Sequence, residues 1–128
     1  MPLRRVLGIS FATLVVGVGG AGCGSDDDDA QPQVSSDVPA LELEGDATRG
    51  RKVWADAGCS ACHTLAATNA TGTVGPNLDQ SQPTFELVAN RVTLGRRAMP
   101  MFRGLLTQQQ IADVAEFVST AAGGDEAG

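Results

Sequence analysis

Apolar residues recur at helical spacing in three stretches of the chain, and residues typical of helix ends bound each stretch. The first begins at Asp46, a residue suited to an N-cap, and ends near Ala57, with Gly58 as the stop. The second runs over 84–94 and is followed by Gly95. The apolar positions are Ala47, Gly50, Val53 and Trp54 in the first stretch, and Phe85, Val88, Ala89 and Val92 in the second. Both stretches are predicted to be amphipathic helices.

A third helix is predicted to begin at Thr107, because Thr107 and Gln110 have the spacing of a capping box. The apolar positions that follow keep the helical period: Ile111, Val114, Ala115, Val118 and Ala122. No strand pattern lies between the helices, and the connections 64–83 and 96–106 are long. Long loops are uncommon in a compact domain unless they serve a function. The pattern therefore predicts an all-α domain whose loops wrap around a bound group.

A length of 128 residues suits one domain, and composition divides the chain into four parts. We predict an export signal over 1–22, an acidic flexible tether over 23–44, the folded domain over 45–122 and a frayed tail over 123–128. The tether contains four consecutive aspartates and no helical or strand period, so it cannot offset its ordering entropy by burial. The domain, with about 78 residues, is small and is expected to need a cofactor.

The first 22 residues have the three parts of an export signal. Arg4 and Arg5 form a short basic region, an apolar run follows from Val6 to Val18, and small residues lead up to Cys23. The run is shorter than the roughly 20 residues that span a bilayer comfortably, which favours cleavage over retention as an anchor. We expect the protein to be exported, to the periplasm or to the outer face of a membrane.

The segment around Cys23 resembles a bacterial lipoprotein signal, in which the cysteine becomes the acylated first residue of the mature chain. Gly20 departs from that pattern, because an aliphatic residue is usual there. The alternative is ordinary cleavage nearby, with Cys23 incidental. The hypothesis that follows is lipidation at Cys23, which would hold the domain near a membrane through the tether.

The chain is acidic, with a formal net charge of −6. Residues 1–22 carry two arginines and no acidic residue, so the remainder of the chain carries −8. An acidic chain repels nucleic acid, and we exclude nucleic acid as a partner on this ground.

Residues 59–63 spell C-S-A-C-H, the C-x-x-C-H pattern of covalent haem c attachment. The thiols of Cys59 and Cys62 can add to two vinyl groups of one haem, and His63 can then place its imidazole over the iron. A structural zinc site needs four ligands, but outside this motif there is no histidine and only one more cysteine, Cys23. A redox dithiol would lie near a βαβ unit, for which the sequence has no pattern. One covalent haem c is therefore the predicted cofactor.

A methionine thioether opposite the histidine is one common second axial ligand, and it raises the reduction potential. Met99 and Met101 both lie in a proline-containing loop after the motif. Core filling is the usual role of a methionine, but two of them two positions apart in such a loop do not form a helical core stripe. The residues alone leave both methionines as candidates.

Taken together, these features resemble the class I cytochrome c family over about residues 45–122. The matching parts occur in the family's order: the helix with Gly50 and Trp54, C-S-A-C-H, Gly75-Pro76-Asn77-Leu78, Ala98-Met99-Pro100 and the last helix. The resemblance implies an all-α class I cytochrome c fold, with three main helices and long loops wrapped around one covalent haem. It also implies that Gly50 marks the close approach of the first and last helices, beside Trp54 and Phe117.

The resemblance further implies that Met99 is the axial ligand opposite His63, because the family's ligand directly precedes a proline. It implies that the Pro76 carbonyl accepts the Nδ1 proton of His63, a contact that fixes the tautomer of a metal-bound histidine. The implied function is one-electron transfer and not enzymatic catalysis, since a six-coordinate iron has no open position for a small-molecule substrate. Two alternatives stay open: a haem-based ligand sensor or weak peroxidase with Met99 displaced, and a fixed haem subunit of a larger membrane oxidoreductase.

The expected partners are redox proteins, together with a membrane if Cys23 is lipidated. Four arginines surround the methionine loop in sequence: Arg91, Arg96, Arg97 and Arg103. We call them the arginine cluster, and the family's haem edge lies near this loop. They predict a local positive patch that steers an acidic redox partner. The alternative is that they cap helix ends, cover carbonyls or pair with haem propionates.

Overall fold

The computed structural model describes residues 37–125, and within them the fold is mainly helical. The helices are α1 (Ala47–Asp56), α2 (Leu78–Ser81), α3 (Phe85–Leu94) and α4 (Gln108–Ala122). Two short strands, β1 (Thr64–Leu65) and β2 (Ala70–Thr71), pair antiparallel with Thr64 opposite Thr71. Single 3₁₀ turns occupy Pro39–Glu42, Cys59–Ala61 and Ala66–Thr68. The three main helices, α1, α3 and α4, are the three that the sequence predicts.

The predicted helix ends are present. Asp46 caps α1, because its Oδ1 accepts a hydrogen bond from the backbone N–H of Arg49 at 2.8 Å. At α4, Thr107 Oγ1 accepts from Gln110 N–H at 3.1 Å and Gln110 Oε1 accepts from Thr107 N–H at 2.9 Å, which completes the capping box. Beyond α1, Gly58 has a φ of 74°, the left-handed conformation that stops a helix. Local chemistry therefore defines where these helices begin and end.

The core forms where α1 crosses α4, and α3 packs against α4 as well. Gly50 lies at the crossing: a Cβ there would overlap the carbonyl of Asp113 and lie 2.7 Å from Phe117 Cβ. Trp54 lies one turn further along α1 and packs edge-on against Phe117, with ring centroids 6.2 Å apart. The crossing, as the resemblance implied, fixes α1 and the turn that follows it against α4.

A buried carboxylate ties the start of α1 to α4. Asp113 is 2% exposed, and its Oδ1 accepts from Asp46 N–H and Arg49 Nη2, both at 2.9 Å. Its Oδ2 accepts from Arg49 Nε at 2.8 Å, and Gln109 Nε2 donates to the carboxylate at 2.9 Å. The hydrogen bonds from the Arg49 guanidinium hold the pKa of Asp113 below its usual range, against the opposite effect of burial. The carboxylate is therefore ionised and fully partnered at neutral pH.

Residues 37–44 pack against the domain, although the sequence analysis assigns them to the flexible tether. We call this segment the strap. Val38 and Ala40 are 3% and 0% exposed, and the 3₁₀ turn of the strap contacts α3 and α4. The expected tail is likewise packed in its first part, since Gly124 is buried and its N–H donates to the Ser119 carbonyl at 2.8 Å. Both segments lack a periodic pattern, and only the assembled helices give them a surface to pack on.

The predicted export signal, Cys23 and the part of the tether before residue 37 lie outside the described residues. Within 37–125, no helix combines the length and the apolar character that a membrane span requires.

Candidate haem site

The two cysteines of the motif and His63 are presented by one tight turn after α1. The left-handed Gly58 reverses the chain, and the 3₁₀ turn of Cys59–Ala61 follows directly. The Cys59 carbonyl accepts from the backbone N–H groups of Cys62 and His63, each at 3.1 Å. Both cysteines are half-buried free thiols, and burial raises the pKa of the Cys59 thiol. The turn therefore brings two thiols and an imidazole together directly after α1.

The segment that follows β2 folds back over this turn and orients His63. The Nδ1 atom of His63 lies 2.9 Å from the carbonyl oxygen of Pro76. Because a carbonyl only accepts, Nδ1 carries the proton and the lone pair of Nε2 is left for a metal. The contact that the resemblance implied between these two residues is present in the structure.

Two glycines allow this close approach. A Cβ on Gly75 would lie 2.5 Å from Cε1 and 2.8 Å from Nδ1 of His63. A Cβ on Gly72 would lie 2.6 Å from the carbonyl carbon of Cys62. Backbone hydrogen bonds hold the segment here, from Gly75 N–H to the Cys62 carbonyl at 2.7 Å and from Gly72 N–H to the His63 carbonyl at 3.2 Å. The absence of a side chain at both positions is therefore a condition for the His63 orientation.

Aromatic packing connects the imidazole to the core. The rings of Trp54 and His63 are 6.5 Å apart between centroids and tilted by 46°. Trp54 is 3% exposed and packs on Phe117 of α4. Trp54 therefore contacts both His63 and the α1–α4 crossing, and it links the site to the core.

The second candidate ligand lies in a turn just after α3. Met99 and Arg96 exchange backbone hydrogen bonds at 3.0 and 3.1 Å, and Arg97 between them has a left-handed φ of 54°. Gly95 also has a positive φ, of 67°, and a Cβ there would lie 2.8 Å from the Met99 carbonyl. Met99 is partly buried and packs against the core, whereas Met101 is 56% exposed. Burial therefore favours Met99 over Met101, as the family resemblance also does.

A cleft of about 310 Å³ lies between the end of α1 and the loop after Met99. Five apolar residues and two polar ones line it: Val53, Ala57, Phe102, Leu105 and Leu106, with Asp56 and Gln110. Sequence reasoning missed the contribution of Phe102 and Leu106, because residues of an irregular loop show no period. Cys59, Cys62, His63 and Met99 do not line this cleft. Two thiols, an imidazole with a free Nε2 and a methionine packed against the core are the groups that hold a covalent haem.

A family model described as cytochrome c oxidase, cbb3-type, subunit III matches residues 45–118, more than half of the chain. The chain belongs to this family of c-type cytochromes. Cytochrome c6 of Nostoc sp. strain PCC 7120 is 33% identical over 96 residues, covering 65% of this chain and 78% of the relative. Cytochrome c6 of Leptolyngbya boryana is 38% identical over 77 residues, covering 57% of this chain and 89% of the relative.

A solved structure, that of the c-type cytochrome SorU from Sinorhizobium meliloti, is similar to this cytochrome with a TM-score of 0.57. The two are 42% identical, and the match covers 60% of this chain and 91% of the other. The predicted cytochrome c fold with three main helices is therefore confirmed. The protein is an electron-carrier c-type cytochrome similar to cytochrome c6, and it is not an enzyme.

The arginine cluster is mostly exposed, around the loop that carries Met99. Arg96, Arg97 and Arg103 have exposed side chains, and Arg91 is half-buried. Burial, followed by the charge of Arg96, lowers the pKa of Arg91. Arg103 also covers a carbonyl, because its Nη2 donates to the Asp37 oxygen at 2.8 Å. The arginine cluster therefore forms a positive surface, and Arg103 also covers a backbone carbonyl, which is one of the alternative roles expected for these arginines.

Proposed function

We propose that this cytochrome carries one electron on a single haem c that Cys59 and Cys62 hold by thioether bonds, with His63 and Met99 as axial ligands. When bound, haem supplies the iron that is oxidised and reduced. The observation that carries the proposal is the hydrogen bond between His63 Nδ1 and the Pro76 carbonyl, since it directs Nε2 to a metal. The inward packing of Met99 against the core supports the second ligand.

In this proposal the residues of the chain orient the two axial ligands and exclude water from the haem. Pro76 keeps His63 in one tautomer, and the turn at 95–99 keeps Met99 directed to the core. Phe102 and Leu106 line the cleft with apolar surface, which raises the reduction potential by disfavouring the more highly charged oxidised state. With both axial positions filled, no coordination site is left for a substrate, and transfer of an electron is the function that this arrangement supports best.

The test is the spectrum and redox titration of the holoprotein, with Met99→Ala and Met101→Ala as a matched pair. We expect the Met–iron charge-transfer band of the oxidised protein to vanish in Met99→Ala and to persist in Met101→Ala. The reduction potential should fall in Met99→Ala alone, because a methionine ligand raises it. A band that survives Met99→Ala and vanishes in Met101→Ala would assign the ligand to Met101. A high-spin wild-type protein would refute the electron carrier with two axial ligands and favour a ligand sensor or peroxidase.

We further propose that the protein is exported and held at a membrane by a lipid on Cys23. The support is the sequence around Cys23 and the acidic segment between it and the strap. The test is membrane fractionation and mass analysis of the mature protein produced in a bacterium, beside Cys23→Ser. Lipidation predicts an acylated mature N-terminus at residue 23 and loss of membrane association in the variant. A soluble wild-type protein with cleavage at another residue would refute it.

A fixed subunit of a larger oxidoreductase is a second candidate, because the matching family model is named after an oxidase subunit. A diffusing or tethered carrier is favoured by the likeness to cytochrome c6. Mild detergent extraction of native membranes separates the two. Co-purification in a stoichiometric complex would identify a subunit, whereas a monomeric haem protein would identify a carrier.

A further inference from the structure

The strap is held at both of its ends by side chains from other parts of the domain. At its beginning, Arg103 Nη2 donates to the Asp37 carbonyl at 2.8 Å. At its end, Gln109 Nε2 donates to the Glu44 carbonyl at 2.8 Å. Gly45, the next residue, runs so close to α4 that a Cβ would overlap the Ala112 carbonyl. A segment that only connected the domain to its N-terminal region would need none of these contacts.

Two side chains of the strap are buried as deeply as the core. Val38 is 3% exposed and Ala40 is 0% exposed, and both belong to the hydrophobic core cluster. The turn that contains Ala40 contacts α3 as well as α4. The strap therefore closes over the junction of two helices, one of which leads directly into the loop that carries Met99.

Backbone hydrogen bonds and apolar side chains hold that loop against α3 and the core. Phe102 N–H donates to the Val92 carbonyl at 2.9 Å, and Arg103 N–H donates to the Thr93 carbonyl at 3.4 Å. The Arg103 side chain then extends from the loop to the strap. Since Arg103 lies only four residues after Met99, this hydrogen bond fixes the part of the loop next to the proposed ligand.

We propose that the strap is a positioning element for Met99, with Arg103 and Val38 as the residues through which it acts. The inference rests on the proposed ligation by His63 and Met99. Moving Met99 away from the iron requires the loop to open, and an open loop loses the hydrogen bond from Arg103 to the strap. The strap therefore shifts the equilibrium towards the closed loop, and the loss of one such bond should raise the open population about fivefold.

Displacement of Met99 by imidazole measures this equilibrium, because imidazole binds the iron only when the loop opens. The oxidised full-length holoprotein is titrated with imidazole while the Met–iron band is followed. In Arg103→Ala, the apparent affinity for imidazole should rise about fivefold. Arg97→Ala is the matched control: it removes the same charge from an exposed position in the same loop but leaves the strap contact intact. Its imidazole affinity should change less than twofold, roughly the limit for a surface substitution.

Val38→Ala tests the inference from the side of the strap, since it removes buried apolar surface from the strap and changes no residue of the loop. Its imidazole affinity should rise in the same direction as that of Arg103→Ala, while far-UV circular dichroism shows intact helices. Unchanged affinity in both variants, with a normal Met–iron band in the wild type, would refute the strap inference and leave the ligation standing. Equal increases in Arg97→Ala and Arg103→Ala would refute it too, because charge alone would then explain the effect. A wild type without the band would refute both the ligation and the inference.

Discussion

Replacement of the buried carboxylate in Asp113→Asn should destabilise the cytochrome by about 2 kcal/mol at neutral pH. The asparagine keeps one acceptor for Asp46 N–H but turns an amide donor towards the guanidinium of Arg49, which donates twice to the native carboxylate. A hydrogen bond to a charged group contributes about 1.5–3 kcal/mol. The Arg49 side chain is 58% exposed, so solvent screens part of the interaction between its guanidinium and Asp113. The melting temperature should fall by roughly 8–16 °C, as expected for a domain of this size.

Thermal unfolding of the holoprotein, followed by far-UV circular dichroism at pH 7, 5 and 3, measures the effect. The folded-state pKa of Asp113 is lowered, so its stabilisation is complete above the unfolded pKa of about 4 and is lost as pH falls through the folded value. The difference in melting temperature between wild type and Asp113→Asn should therefore be the same at pH 7 and pH 5, and smaller at pH 3.

Asp56→Asn is the matched control for this experiment. Asp56 pairs with Lys52 across one turn of α1, and the two side chains are 63% and 77% exposed. An exposed helical pair of this kind contributes about 0.3–0.5 kcal/mol. If Asp113→Asn destabilised the protein no more than Asp56→Asn, or by the same amount at all three pH values, the buried charge network would not have the role described above.

Three further predictions concern the histidine contact, the last helix and the positive surface. Gly75→Ala should displace the His63 ring and change the electron paramagnetic resonance spectrum of the ferric protein. Gly58→Ala has free space for its Cβ, so it should leave that spectrum unchanged and should lower the stability by about 1 kcal/mol because of its left-handed backbone. Thr107→Ala should lower the free energy of unfolding, measured in urea, by about 1 kcal/mol, because the capping box is lost. Thr120→Ala, at an exposed site in the same helix, is the control, and an equal loss of stability in both variants would contradict the role of the cap. Electron transfer to an acidic partner should slow as salt screens the arginine cluster, and a rate that is flat from low to high salt would argue against electrostatic steering.

The sequence was sufficient for the features that depend on neighbours along the chain. The three main helices, their caps and the left-handed Gly58 follow from local spacing and local hydrogen bonding. The C-x-x-C-H turn is likewise local, because five consecutive residues contain both thiols and the imidazole.

Features that depend on distant residues could not be predicted from periodicity. The strands β1 and β2 and helix α2 have two to four residues each, too few to show a period. The acceptor for Arg49 lies 64 positions later in the chain, and nothing in the spacing identifies Asp113 as that acceptor. The burial of Val38 and Ala40 needs the surface that α3 and α4 form together, so periodicity along the chain does not show it. Burial also distinguishes Met99 from Met101, for which the residues alone gave no preference.

The crossing of α1 and α4 has a consequence for the order of events during biogenesis. Asp46, at the start of α1, finds its hydrogen-bond partner 67 positions further along the chain. Contacts between such distant positions form late, since the intervening chain must close as a loop first. Until α4 has docked, Trp54 has no Phe117 to pack on, and the ring contact between Trp54 and His63 lacks the support of the last helix. The core's support for the turn that carries Cys59, Cys62 and His63 is therefore completed only when the last helix docks.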